Sequence, residues 1–249
     1  MAGHRGGGGG EAAAGVGAGA LPRRSIDGAV RPRRPEARRW ASARREEAIT
    51  ARKRYDKAYF DRWYRGRTPA VGSRGALRRK VAAAVAITEF VLDRELRSVL
   101  DVGCGEGRWQ PELFEMRPNA AYLGIDSSEY AVERFGAARN LRAGSFGELE
   151  LHDFDAPFDL VVCSDVLHYL ERREILRGLP ALVERVEGVA FLEVFTRADE
   201  IEGDMVGFQR RPPAAYRRMF ANAGLVPIGL QFYVPDWRVE DLDALEVPG

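Results

Sequence analysis

The chain has 249 residues, 45% of them hydrophobic, with 38 Lys and Arg against 37 Asp and Glu. That length buries one substantial core and leaves room for a small extra element, but not for two full domains. The longest apolar run, around Val81 to Ile87, falls well short of the roughly 20 residues that a membrane-spanning helix requires, so no membrane partner is expected. The near-neutral total conceals a division: residues 1–80 hold 21 basic and 7 acidic side chains, and residues 81–249 hold 17 and 30. The two cysteines, Cys104 and Cys163, form no spaced disulfide framework, which reads as a reduced, cytoplasmic protein.

In chain order, residues 1–43 run from a glycine and alanine tract into arginines and prolines. Such a tract has too little apolar surface to offset the entropy of ordering and is expected to be a disordered tail. It lacks the continuous apolar core of a secretory signal, although its arginine-rich, acid-poor start shares features with organellar transit peptides. From Arg44 to Arg65 the pattern turns helical, with Tyr55, Tyr59, Phe60, Trp63 and Tyr64 recurring at three- and four-residue spacing. That aromatic face either packs on the main domain or closes a ligand site, and the two readings are compatible. A loop over 66–75 leads to a helix over 77–92; residues 44–80 form a helical cap and 81–249 the main domain.

The remainder alternates strand and helix. Strands are expected at 98–102, 121–125, 140–143, 158–163, 189–195 and 225–234. Helices follow to Met116, over 128–138 with Ser127 or Ser128 as its cap, over 171–186 and over 213–223. Alternation of this kind predicts an α/β fold with a doubly wound, mostly parallel sheet covered on both faces.

Chemistry begins at VLDVGCGEGRW (99–109), an apolar strand running into a glycine loop that opens a helix. Gly103, Gly105 and Gly107 let the backbone turn sharply and approach a ligand. The spacing is not the G-x-G-x-x-G of a dinucleotide loop, and Asp101 would repel a pyrophosphate while suiting the ammonium of an amino-acid-bearing ligand. AYLGIDSS (121–128) ends its strand at Asp126, nineteen residues after Gly107, where a carboxylate can accept both hydroxyls of a ribose. FDLVVCSDVLHYL (158–170) forms a third motif. In order and spacing these three resemble the class I S-adenosylmethionine (SAM) dependent methyltransferases of Rossmann-like fold, over roughly residues 80–235.

The resemblance implies SAM as cofactor. It implies that Gly103, Cys104, Gly105 and Gly107 lie against the methionine part, with Asp101 near its ammonium. Asp126 and Ser127 would take the ribose. Ser145 and Phe146, where the family often has Gly-Asp-Ala, would meet the adenine, though the usual carboxylate is missing there. Ser164 would line the side from which the methyl is delivered. His168 is the candidate general base, since an imidazole titrates near neutrality; a histidine that only packs beside the cofactor is the competing reading. The family also has a seventh, antiparallel strand, which the residues after Pro235 leave short or absent.

The motif at 163–170 lacks the Asn/Asp-Pro-Pro-Tyr type of sequence used on amide and base nitrogens and the Pro-Cys of cytosine C5 chemistry, so the expected acceptor is a small molecule. Glu193 is the residue expected to look into its pocket. Asp199, Glu200, Glu202 and Asp204 are read as solvated loop acids, with no metal site. Two other functions stay open: methyl transfer to a macromolecule such as RNA or protein, with the basic N-terminal region assisting, and a non-catalytic SAM-binding module.

Overall fold

The computed structural model describes residues 53–65, 73–201 and 203–242. The expected tail, the first part of the aromatic helix and most of the 66–75 loop lie outside them. The described strands form one seven-stranded sheet: β1 (Ser98–Val102), β2 (Ala121–Asp126), β3 (Leu141–Ala143), β4 (Phe158–Ser164), β5 (Val186–Glu193), β6 (Leu225–Gly229) and β7 (Phe232–Pro235), in the order β3-β2-β1-β4-β5-β7-β6. The first five are parallel, and β7 runs antiparallel to both of its neighbours.

Alternation along the inner strands sorts the core into two layers. Leu100, Val161, Ala190 and Leu192 face α5 (Arg172–Val183) and α6 (Pro213–Asn222), whose Ile175, Leu179, Leu182, Met219 and Phe220 complete that side. Val99, Val162, Val189 and Phe191 face α2 (Arg74–Leu92) and α3 (Trp109–Met116). On α2 the stripe Val81, Ala84, Val85 and Thr88 is fully or almost fully buried, the spacing that keeps one helical face against a sheet. Both layers covered is the doubly wound, mostly parallel Rossmann-like arrangement.

Several boundaries differ from the sequence reading for local reasons. Among the described residues the aromatic helix is α1 (Lys57–Tyr64); Asp56 caps it by accepting the Tyr59 N–H at 3.0 Å, which leaves Lys53 and Tyr55 in the non-helical lead-in. Ser73 caps α2 and starts it earlier than expected. The helix after β3's partner strand, α4 (Glu129–Arg139), is capped by Ser128, and Asn140 closes it in the left-handed region at φ +52°. α5 ends at Val183, so β5 begins three residues before its expected start, with Val186 beside Phe158 of β4.

The seventh strand corrects an expectation. Residues 225–235 are not one strand but a hairpin, β6 and β7, turning at Leu230 and Gln231 with φ +48° and +67°. β7 inserts between β5 and β6, with Phe232 opposite Phe191.

Candidate active site

In an open parallel sheet the loops leaving two neighbouring strands diverge where the strand order reverses, and a crevice opens beyond their C-terminal ends. Here that point is β1, flanked by β2 and β4. The glycine loop leaves β1 with the N–H groups of Gly103 and Cys104 both donating to the Ile125 carbonyl, at 2.7 and 3.2 Å. Gly103 sits at φ +74°, and a Cβ there would come within 2.4 Å of the Val166 side chain. Gly105, at φ +54°, lies under α1: its Cβ would stand 3.1 Å from the Tyr64 hydroxyl and 3.3 Å from Phe60. Only glycine accepts both the dihedral and the approach. The aromatic side chains of α1 thus lie directly over the loop, with Phe60 only 2% exposed.

Two cavities open there. One, of about 120 Å³, is lined by Gly105, Asp126, Ser127, Ser145 and Phe146 among others. The second, of about 260 Å³, extends past Asp101 and Cys104 to Trp63, Lys80 and Glu193. They share a wall made of Tyr59, Tyr64, Gly103, Ser164, Asp165 and Tyr169.

Asp126 is buried at the end of β2. One of its oxygens accepts the Gly105 N–H at 2.6 Å and the other the Ser128 N–H at 2.8 Å. Burial still pushes this carboxyl above the usual range despite those two donors. Each carboxylate oxygen keeps a second lone pair, so the group can hold the loop and accept from a ligand at once. Asp101 accepts the Tyr122 hydroxyl at 2.7 Å and is 2% exposed. Burial pushes it up to about 7, against the lowering effect of that hydroxyl, with the Asp126 charge adding to the rise. A cationic ligand group beside Asp101 would reverse this.

Ser145 donates to Glu148 at 2.6 Å, and Phe146 is buried at the start of a 3₁₀ turn over Phe146–Leu151. At the other side of the shared wall, Glu193 ends β5 and receives Ser164 Oγ at 2.5 Å and Lys80 Nζ at 2.6 Å. Glu193 therefore stands where the sequence reading expected it, and Lys80, which that reading did not single out, is its partner from α2.

Two expected site residues, Gly107 and His168, line neither cavity. Gly107 serves the turn itself, its N–H donating to the Cys104 carbonyl at 2.9 Å. Cys163 is wholly in the core. Burial raises both thiols well above the ordinary range. His168 is 1% exposed, with Nδ1 accepting the Phe195 N–H at 3.4 Å and Nε2 3.0 Å from Asp165. Both ring nitrogens are engaged, and the imidazole is enclosed by Tyr169, Phe195 and Phe208. The carboxylate that reaches the shared wall is Asp165, held at φ +64° just past β4.

The acidic loop is a further correction. Asp204 is not solvated: its side chain is 8% exposed and lies 2.6 Å from Lys53 Nζ. That ammonium sits 3.6 Å from the centre of the Tyr169 ring and 5.1 and 5.2 Å from those of Tyr55 and Tyr59. Among the described residues no group of three or more His, Cys, Asp or Glu is placed to hold a metal ion, and no helix is long and apolar enough to cross a membrane.

Comparison with known proteins agrees with this architecture. Residues 100–187 match the family model described as a methyltransferase domain. The trans-aconitate 2-methyltransferase of Deinococcus radiodurans is 28% identical over 173 residues, covering 59% of this chain and 65% of that protein; the chain therefore spans just under two thirds of the relative's length. Streptomyces venezuelae DesVI has a similar fold, with a TM-score of 0.53 at 18% identity, covering 72% of this chain and 98% of that one. A SAM-dependent methyltransferase from Archaeoglobus fulgidus gives 0.50 at 17%, covering 69% and 75%. The glycine loop, Asp126 and the reversed strand order thus share one crevice, on a fold similar to that of a SAM-dependent methyltransferase and within a stretch that matches a methyltransferase domain.

Proposed function

We propose that the chain is an enzyme that transfers a methyl group from SAM to a small-molecule acceptor. The observation that carries this reading is the pair of joined cavities. The smaller offers groups suited to a nucleoside, and the larger is enclosed by Trp63, Tyr64 and Glu193 on a scale that suits a metabolite. The donor set fits the cofactor: Asp101 for an ammonium, Asp126 with Ser127 for ribose hydroxyls, Ser145 and Phe146 for adenine, and glycine backbone at Gly103 and Gly105 where a side chain would obstruct.

When bound, SAM supplies an electrophilic methyl on a sulfonium whose charge is lost in the transfer. The chain's work is then to align the acceptor and exclude water, since positioning alone supplies much of the rate in such a displacement. Tyr59, Tyr64 and Tyr169 wall the passage between the cavities. Ser164 and Glu193 offer hydrogen bonds on the acceptor side, and Asp165 is the carboxylate best situated to take a proton from an acceptor. His168 acts through it as a positioning residue, tying Asp165 to the Phe195 backbone. The two buried free thiols suit a reducing, cytoplasmic setting.

Calorimetry with SAM, S-adenosylhomocysteine and NAD, followed by mass spectrometry of a metabolite extract incubated with SAM and the full chain, tests the proposal. Binding of the two adenosyl ligands but not NAD, and a gain of one methylene mass in a small molecule, is the expected result. NAD binding without SAM binding overturns it, as does methylation confined to added RNA or protein.

A further inference from the structure

At the edge of the larger cavity an ammonium is already held. Lys53 Nζ lies 3.6 Å from the Tyr169 ring centre and just over 5 Å from those of Tyr55 and Tyr59, with Asp204 Oδ2 at 2.6 Å. Three aromatic faces and a carboxylate converging on one point make the arrangement that recognises a cation through ring quadrupoles and one counter-charge. Lysine fills the box through charge and ring contact rather than through a directed hydrogen bond. The buried Nζ is paired with Asp204 by charge at 2.6 Å and has no hydrogen-bond acceptor of good geometry. Burial outweighs Asp204 and holds this amine below the ordinary lysine range.

The surroundings carry the same sign. Asp165, Glu193, Glu200 and Asp204 line the cavity against Lys80 and Arg108, and Lys80 is already paired with Glu193. Tyr169 and Tyr59 belong to the wall shared with the smaller cavity, so the box adjoins the passage where the methyl must cross. A polycarboxylate acceptor would meet these acids unfavourably.

We infer that the Tyr55–Tyr59–Tyr169–Asp204 box is a cation-recognition subsite of the acceptor cavity, that the acceptor carries an amine or ammonium, and that this group takes the place of Lys53. The inference rests on the methyltransferase reading for the word acceptor, but not for the existence of the subsite. The acceptor's cation exchanges for the lysine's, so the box stays charged and closed in either state.

The test uses choline as the cationic probe, its neutral carbon isostere 3,3-dimethylbutan-1-ol, and tricarballylate as the polycarboxylate. Binding to the full chain is measured by calorimetry with S-adenosylhomocysteine present. Choline is expected to bind in preference to both others. Lys53→Ala is expected to tighten choline by about tenfold, and Asp204→Asn or Tyr169→Leu in that background to weaken it by about as much, whereas Tyr169→Phe, which keeps the ring, retains binding. Equal binding of choline and its isostere overturns the inference, as does preference for tricarballylate or a Lys53→Ala chain no better than the parent. Thermal melting of each variant separates lost binding from lost folding; the Lys53→Ala and Tyr169→Phe arms decide the matter even if Tyr169→Leu does not fold. Choline binding without S-adenosylhomocysteine binding would leave the subsite standing and sink the methyltransferase reading instead.

Discussion

Asp126 holds the glycine loop and is the residue proposed to meet the ribose, and its replacement removes both contacts. Asp126→Ala removes the acceptor for the Gly105 N–H as well as the candidate ribose contact. S-adenosylhomocysteine binding is expected to weaken by about 1.5–3 kcal/mol, the usual range for a hydrogen bond to a charged group, and an unchanged calorimetric affinity would remove Asp126 from the ligand's contacts. Asp101 gives a prediction in pH. Its carboxyl titrates near 3.8 when exposed and at about 7 in the fold. Between those values the folded chain binds a proton that the unfolded chain does not, so unfolding free energy falls as pH rises through this window. Relative to Asp101→Asn, the parent chain without ligand is expected to lose stability between about pH 4 and pH 7, read by urea denaturation at a series of pH values. Parallel profiles would show that Asp101 is ionised throughout.

At the scale of elements the β6–β7 turn is the most exposed to test. Leu230 is 84% exposed and holds a positive φ that a branched residue adopts reluctantly, in a two-residue turn that favours Asn and Gly. Leu230→Asn is expected to stabilise the chain by about 0.5–1 kcal/mol, the scale on which a left-handed backbone penalises ordinary residues; a lower melting temperature would contradict this. The same turn explains why the hairpin was not legible in the sequence. Leu-Gln carries no turn signal, and 225–234 reads as one apolar stretch. By contrast, β1 and α3 followed directly from local pattern, and Ser128 is one of the two serines expected to cap α4. The glycine loop and Asp126 were legible because both lie next to the strands that deliver them. Asp204 was misread as solvated because its partner, Lys53, is remote in sequence, and His168 lines neither cavity because its ring turns back toward Phe195, which spacing alone does not reveal.

For the molecule as a whole, the N-terminal region is expected to divide near Arg44. Removing residues 1–43 should leave the melting temperature and S-adenosylhomocysteine affinity nearly unchanged, since that glycine, arginine and proline tract has little apolar surface to bury. Removing residues 1–65 should lower both, because it strips Phe60 and Tyr64 from above Gly105 and takes Tyr55 and Tyr59 with them. If the longer truncation kept full stability and affinity, the helical segment would be no cap, and its aromatic face would be free to serve a partner protein.

The insertion of β7 between β5 and β6 also bears on synthesis. A ribosome delivers strands in chain order, but β5 acquires its outer neighbour only when residues 232–235 emerge, after both α6 and β6. Until then the nascent sheet presents β5, one of its most apolar strands, as an open edge able to pair with other chains. The vulnerable interval in this protein's birth is thus the translation of about forty residues after Glu193, and the hairpin that closes it completes the sheet from the inside rather than at its rim.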